Sequence, residues 1–217
     1  MFGKLAGGSM RIRRLLALLL MMTLAAWMPL AYSASKTVLV LGDSLSAEYG
    51  IARGSGWVSL LEKRLQSEKV DARIVNASVS GETTSGGRTR LPALLGEHRP
   101  DTVVIELGGN DGLRGLPVPQ TQSNLDAMID AAKKAGAKVL LVGMQIPPNY
   151  GRDYTERFAR MFSKTSKEKD VALVPFLLRG LEDRPDLFQA DRIHPTAEAQ
   201  RIMLENVWPH LKALLRK

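Results

Sequence analysis

Apolar and polar positions along the chain alternate between two periods. Short β-branched and apolar runs recur at Thr37–Leu41, Ala72–Val75, Thr102–Leu107, Lys138–Val142 and Ala172–Phe176. Runs of this length without a polar face predict strands buried on both sides. Between them the spacing shifts to that of amphipathic helices. Trp57, Leu60, Leu61 and Leu65 share one face, and so do Leu125, Met128, Ile129 and Ala132. Further helical patterns run through Leu91, Leu94 and Leu95, and, less regularly, from Tyr154 to Phe162. The last contains Ile202, Met203, Val207, Leu211 and Leu214, with Pro209 expected to kink or break it. Strand–helix alternation implies right-handed crossovers. The expected fold is therefore α/β, a three-layer sandwich around a mostly parallel five-stranded sheet.

The N-terminal segment follows a different pattern. Lys4, Arg11, Arg13 and Arg14 precede an apolar stretch from Leu15 to Met28, which Pro29 ends before the small residues Ala31 to Ala34. Basic, apolar and small-residue regions in this order predict a secretory signal peptide over residues 1–34. The apolar stretch falls short of the ~20 residues that span a bilayer as a helix. The expectation is a single domain over 35–217, periplasmic or secreted, with no stable membrane span once the leader is removed.

Charge is informative only after that division. The whole chain carries 30 Lys and Arg against 22 Asp and Glu, a formal +8 that invites a nucleic-acid reading. Four of the basic residues lie in the leader, so the remainder carries 26 against 22 and no nucleic-acid partner is expected. No cysteine is present, which removes disulfides, thiolate metal sites and a cysteine nucleophile.

In parallel sheets, sites form beyond the carboxyl ends of the strands. The first strand is followed by Gly42-Asp43-Ser44-Leu45-Ser46, the second by Ala77 to Thr83 with Gly81 in its turn, and the third by Gly108-Gly109-Asn110-Asp111. Each has a local explanation: Ser44 as a helix cap, Gly81 for a positive φ, Asn110 for a left-handed turn. No dinucleotide fingerprint, phosphate loop or Gly-x-Ser-x-Gly elbow is present, since Ser46 stands where the elbow's second glycine belongs. Near the C-terminus, Asp191-Arg192-Ile193-His194-Pro195 sets a carboxylate three residues before one of only three histidines. Such an aspartate can hold one imidazole nitrogen and leave the other facing a nucleophile. Two ligands without a third do not make a metal site, and Asp191 has the simpler alternative of ending a loop.

Taken together these blocks resemble the SGNH, or GDSL, hydrolases, over essentially all of residues 35–217 and in the family's order. The resemblance implies a serine hydrolase that needs no cofactor and no metal. In it Ser44 is the nucleophile, His194 the base and Asp191 the orienting acid, while Ser44, Gly81 and Asn110 supply the oxyanion donors. Asp43 and Asp111, without a chemical step, are expected to cap helices or tie the strand-end loops together.

The implied substrates are small acyl esters, thioesters and lysophospholipids, cleaved through an acyl-enzyme by an arylesterase, thioesterase or lysophospholipase of this type acting as a monomer. Met144, Ile146 and Tyr150, after the fourth strand, are candidates for one wall of an acyl groove. Arg88, Arg90 and Arg152 are candidates for attracting anionic head groups, with ordinary surface roles as the alternative. Two competing readings remain: a carbohydrate O-deacetylase of the same chemistry, and a noncatalytic flavodoxin-like module that binds an anion.

Overall fold

The computed structural model describes residues 35–216, and the expected leader lies outside the described residues. Five strands form one parallel sheet: β1 (Lys36–Gly42), β2 (Ala72–Asn76), β3 (Thr102–Glu106), β4 (Lys138–Val142) and β5 (Ala172–Val174), in the order β2-β1-β3-β4-β5. The apolar runs fall where the central strands are covered on both faces. Val38 to Leu41 and Val103 to Ile105 are wholly buried. β2, at an edge, mixes half-buried and exposed residues instead.

Among the described residues six α-helices complete the layers: α1 (Trp57–Ser67), α2 (Thr84–His98), α3 (Gly109–Leu113), α4 (Val118–Lys134), α5 (Arg152–Lys169) and α6 (Gln200–Arg216). Right-handed crossovers assign their faces. The chain steps from β1 outward to β2, then reverses past β1 to β3, β4 and β5, so α1 lies on one face and α2, α4 and α5 on the other. α6 packs against α1, and α4 sits between α2 and α5. Trp57, Leu61 and Leu65 of α1, Leu125 and Ile129 of α4, and Phe158 and Phe162 of α5 close the core. Each such side chain contributes about 2 kcal/mol by leaving water.

Of the two outcomes expected at Pro209, a kink or a break, the break does not occur. α6 runs unbroken from Gln200 to Arg216. Val207, Trp208, Leu211 and Leu215 on both sides of the proline are buried, so packing of this face outweighs the lost hydrogen bond.

The reversal after β2 leaves β1 and β3 as neighbours whose connections leave in opposite directions. A crevice forms beyond their carboxyl ends, where loops part to either side. Ser44 follows β1 and Asn110 follows β3 at this switch point.

Candidate active site

The nucleophile candidate sits on a turn fixed by its neighbours. Gly42 ends β1 directly beside Glu106 of β3, and a Cβ at position 42 would lie 2.8 Å from the Glu106 Oε2 and from Ser46. Only glycine leaves room there. The chain then turns, with Asp43 O accepting from Ser46 N at 3.2 Å and from Ala47 N at 3.0 Å, and this presents Ser44 at the rim.

The histidine arrives from the other end of the chain. Asp191 Oδ1 accepts from the backbone N–H groups of Ile193 and His194 at 2.9 and 3.0 Å. Arg192 takes a left-handed φ of 57° to make that turn. Asp191 Oδ2 lies 2.7 Å from His194 Nδ1, and His194 Nε2 lies 2.9 Å from Ser44 Oγ. With Nδ1–H donated to the carboxylate, Nε2 is the nitrogen left to accept the serine proton. The His194 backbone N–H, then its ring, then the N–H of Ile193 hold the Asp191 carboxyl down at about 2. Asp191 is thus an anion throughout the neutral and mildly acidic range. Gln189 N donates to His194 O at 2.7 Å, and an antiparallel bridge between Phe188 and Pro195 closes the loop.

The candidate oxyanion donors converge from three strand ends. Gly81 occupies its turn with φ 79°, as its residue type suggested. Among the described residues the N–H groups of Ser44 and Gly81 have no protein acceptor. Asn110 Nδ2 donates to Asp43 Oδ2 and to Glu82 O, both at 3.0 Å, so both of its hydrogens are held by the protein. Arg114 donates to Gly81 O at 3.1 Å and fastens the same turn from the side.

Asp43 and Asp111 tie these loops together, as expected from their residue type. Asp111 Oδ2 accepts from Thr84 N at 2.9 Å and Oδ1 from Thr84 Oγ1 at 2.5 Å, joining α3 to the start of α2. Asp43 accepts from Leu45 N at 3.0 Å through its other oxygen. Burial is the main cause that lifts its carboxyl to about 6; the Leu45 and Asn110 hydrogen bonds oppose it. Glu106, deeper still, is pushed well above the carboxylate range by burial and by the charge of Asp43.

A cavity of about 430 Å³ opens beside Ser44, Asn110 and His194. Met144, Ile146, Pro147, Phe176, Leu178 and Phe188 give it a mainly apolar wall, while Gln145, Glu182 and Arg192 supply polar edges. Met144 and Ile146, the candidates for an acyl groove, both line this cavity. Tyr150 does not line the cavity: its hydroxyl donates to Leu113 O at 2.9 Å, so it braces a wall residue from behind. Arg88, Arg90 and Arg152 also lie away from it, engaged with Asn124, with Glu82 and Ala77 O, and with Glu156.

Sequence reasoning missed Glu106, Tyr49 and Arg192. A lone carboxylate at the end of the apolar run Thr-Val-Val-Ile-Glu was a usable signal for the first. Nothing in the local pattern marked the other two.

A serine hydroxyl in relay with histidine and aspartate, on the rim of a doubly covered parallel sheet and against an apolar cavity, defines a hydrolase of the acyl-ester class. The chain belongs to the GDSL-like Lipase/Acylhydrolase family, whose model matches residues 40–202. It is 53% identical over 199 residues to "Esterase TesA" of Pseudomonas aeruginosa, covering 92% of this chain and 99% of that protein. It is 42% identical over 183 residues to "Thioesterase 1/protease 1/lysophospholipase L1" of Escherichia coli strain K12, covering 84% of this chain and 86% of the other. Among solved structures, the psychrotrophic esterase EstA from Pseudoalteromonas sp., in a form inhibited by monoethylphosphonate, matches with a TM-score of 0.80. That match has 40% identity, covering 84% of this chain and 100% of that one. The chain is an enzyme of the ester-hydrolase type.

Proposed function

We propose that the enzyme cleaves acyl esters and thioesters, lysophospholipids included, by way of an acyl-enzyme on Ser44. The observation that carries this reading is the relay itself, 2.9 Å from Ser44 Oγ to His194 Nε2 and 2.7 Å from Nδ1 to Asp191. His194 takes the serine proton as Ser44 attacks the acyl carbon and returns it to the leaving alcohol or thiol; water then repeats the cycle on the acyl-enzyme. Asp191 keeps the tautomer and faces the imidazolium without taking a proton.

The oxyanion of the tetrahedral intermediate is met by the N–H groups of Ser44 and Gly81 and by Asn110. Because both Asn110 hydrogens already have acceptors, the oxyanion competes with Asp43 or Glu82 O for one of them. A full negative charge is a stronger acceptor than a carbonyl, which favours the exchange in the transition state and not before it.

The apolar cavity wall supports an acyl chain over an acetylated sugar, whose hydroxyls would need more polar partners than Gln145, Glu182 and Arg192. An anion-binding module has no use for an Asp191–His194–Ser44 relay. No helix among the described residues is long and apolar enough to cross a membrane. With residues 1–34 acting as a signal peptide, the enzyme works in the periplasm or outside the cell as a monomer.

Labelling with a fluorophosphonate, followed by mass spectrometry of the labelled peptide, tests the proposal. One adduct per chain at Ser44, lost in Ser44→Ala, is expected. A folded wild-type protein that stays unlabelled overturns it.

A further inference from the structure

Glu106 is a charged residue where the strand's own pattern calls for an apolar one. The other four residues of β3 are Thr102, Val103, Val104 and Ile105, all buried, and Glu106 itself is 2% exposed. Burying a carboxyl at the end of a central strand is costly unless its oxygens are engaged. Here Oε2 accepts from Ser46 Oγ at 2.7 Å and from Asp43 N at 3.3 Å. One oxygen therefore reaches the residue before Ser44 and the second residue after it.

The relay described above makes no use of Glu106. We propose that Glu106 is a positioning residue that clamps both flanks of the Ser44 turn and so sets where the serine hydroxyl stands relative to His194. The inference rests on the reading of Ser44 as the nucleophile.

Three further observations support the clamp. Register pairs Gly42 with Glu106, and the missing Cβ at 42 is what lets the carboxyl approach the turn. Ser46 is itself buried at 1% exposure, and its carbonyl accepts from Asn76 Nδ2 at 2.8 Å, so the far flank is tied to β2 as well. Two of the turn's backbone bonds, from Ser46 N and Ala47 N to Asp43 O, hinge on the residue that Glu106 holds; the third, from Tyr49 N to Ser44 O at 3.4 Å, is long. Among the described residues no other side chain of β3 hydrogen-bonds to the turn. The Ser44–His194 contact spans 2.9 Å, and displacement of about 1 Å at such a contact costs on the order of 10²-fold in rate.

The test compares Glu106→Leu, Glu106→Gln and Ser46→Ala with wild type. It measures the rate and stoichiometry of fluorophosphonate labelling at Ser44, and kcat and KM on p-nitrophenyl butyrate. Glu106→Leu is expected to label to one adduct per chain but about 10²-fold more slowly, with kcat reduced in step and KM nearly unchanged. Full stoichiometry separates a misaimed hydroxyl from a partly unfolded sample. Glu106→Gln, whose amide oxygen still accepts from both flanks, is expected to recover most of that loss. Ser46→Ala, which removes one flank with a minimal change in volume, is expected to lower the labelling rate about tenfold.

Labelling of Glu106→Leu at the wild-type rate, or no recovery in Glu106→Gln, overturns the inference. Should the leucine variant fail to fold, wild-type labelling of Ser46→Ala overturns it equally. An unlabelled wild type overturns the nucleophile reading itself, whereas a labelled wild type with unaffected variants overturns only the role of Glu106.

Discussion

The ring of Tyr49 lies against the imidazole of His194, with centroids 4.4 Å apart and planes inclined at 41°. Tyr49 is half-exposed, so the contact adds little to the core and acts instead on the orientation of the imidazole. Its backbone carbonyl accepts from Gln189 Nε2 at 2.9 Å, which ties the Ser44 turn to the His194 loop. An aromatic pair is worth about 0.5–1.5 kcal/mol, so Tyr49→Ala should lower kcat by about two- to tenfold and Tyr49→Phe should leave it near wild type. Steady-state hydrolysis of a p-nitrophenyl ester measures both, and equal rates for the alanine and phenylalanine variants would remove the ring from the argument.

Asp191 should matter for rate far more than for folding. Asp191→Asn is expected to reduce kcat by about 10²–10⁴, since the amide can no longer hold Nδ1–H toward a negative charge. The folded state lowers this carboxyl from 3.8 to about 2. A depressed acid stabilises the fold above its unfolded value, and that contribution disappears as pH falls through the folded one. The stability gap between wild type and variant should therefore shrink as pH falls from about 4 toward 2. A gap that does not close in that range would contradict the assignment.

Asn110 serves two partners, so its loss should be felt twice. Asn110→Ala is expected to lower kcat by about 10²–10³ through the missing oxyanion donor. It also leaves the buried Asp43 Oδ2 without its donor, at a cost of about 1–3 kcal/mol. A drop in melting temperature of about 2–10 °C should accompany the kinetic effect. Wild-type turnover in a variant with that lowered melting point would mean the amide is only structural.

The Asp43 carboxyl gives the opposite pH dependence to Asp191. Its folded value is raised from 3.8 to about 6, chiefly by burial. A raised acid contributes its stability fully below pH 3.8 and loses it as pH rises through 6. Asp43→Asn has no such titration. The stability of wild type relative to this variant should therefore fall as pH rises from about 4 to about 6. Urea unfolding at several pH values measures the difference directly, and a difference that does not vary with pH would refute it.

The cavity wall should govern chain length. Leu178 lines the cavity, packs against the edge of the core and is partly exposed. Leu178→Trp should shift kcat/KM toward acetyl esters and away from octanoyl esters by about tenfold, the worth of one or two methylenes in an apolar pocket. A panel of p-nitrophenyl esters reads the ratio, and an unchanged ratio would place the acyl chain elsewhere.

Some of these relationships were legible in the amino-acid order, and others were not. Gly81 was readable because a positive φ is a property of one residue in one turn. The Asp191–His194 pair was readable because three residues of turn suffice to bring a carboxylate to an imidazole. Tyr150 misled because an aromatic residue after a strand suits either a cavity wall or the support behind it. The choice was made by Leu113 O, which lies 37 positions earlier. That Pro209 leaves the helix unbroken was not readable, because its local cost is intrinsic to the residue, whereas the compensating packing of α6 on its neighbours is not.

The residue order by itself determined the five strands and the longer helices, since burial on one or two faces imprints a period on consecutive positions; the short helix Gly109–Leu113 was read only as a turn. It also determined which small and polar residues terminate the strands. Tertiary structure alone decided that Ser44 Oγ and His194 Nε2, 150 positions apart, meet at 2.9 Å, that Tyr49 covers the imidazole, and that Glu106 reaches both flanks of the serine turn. Those contacts depend on strand order and register, which are set by the packing of the whole sheet, and no short stretch of sequence encodes them.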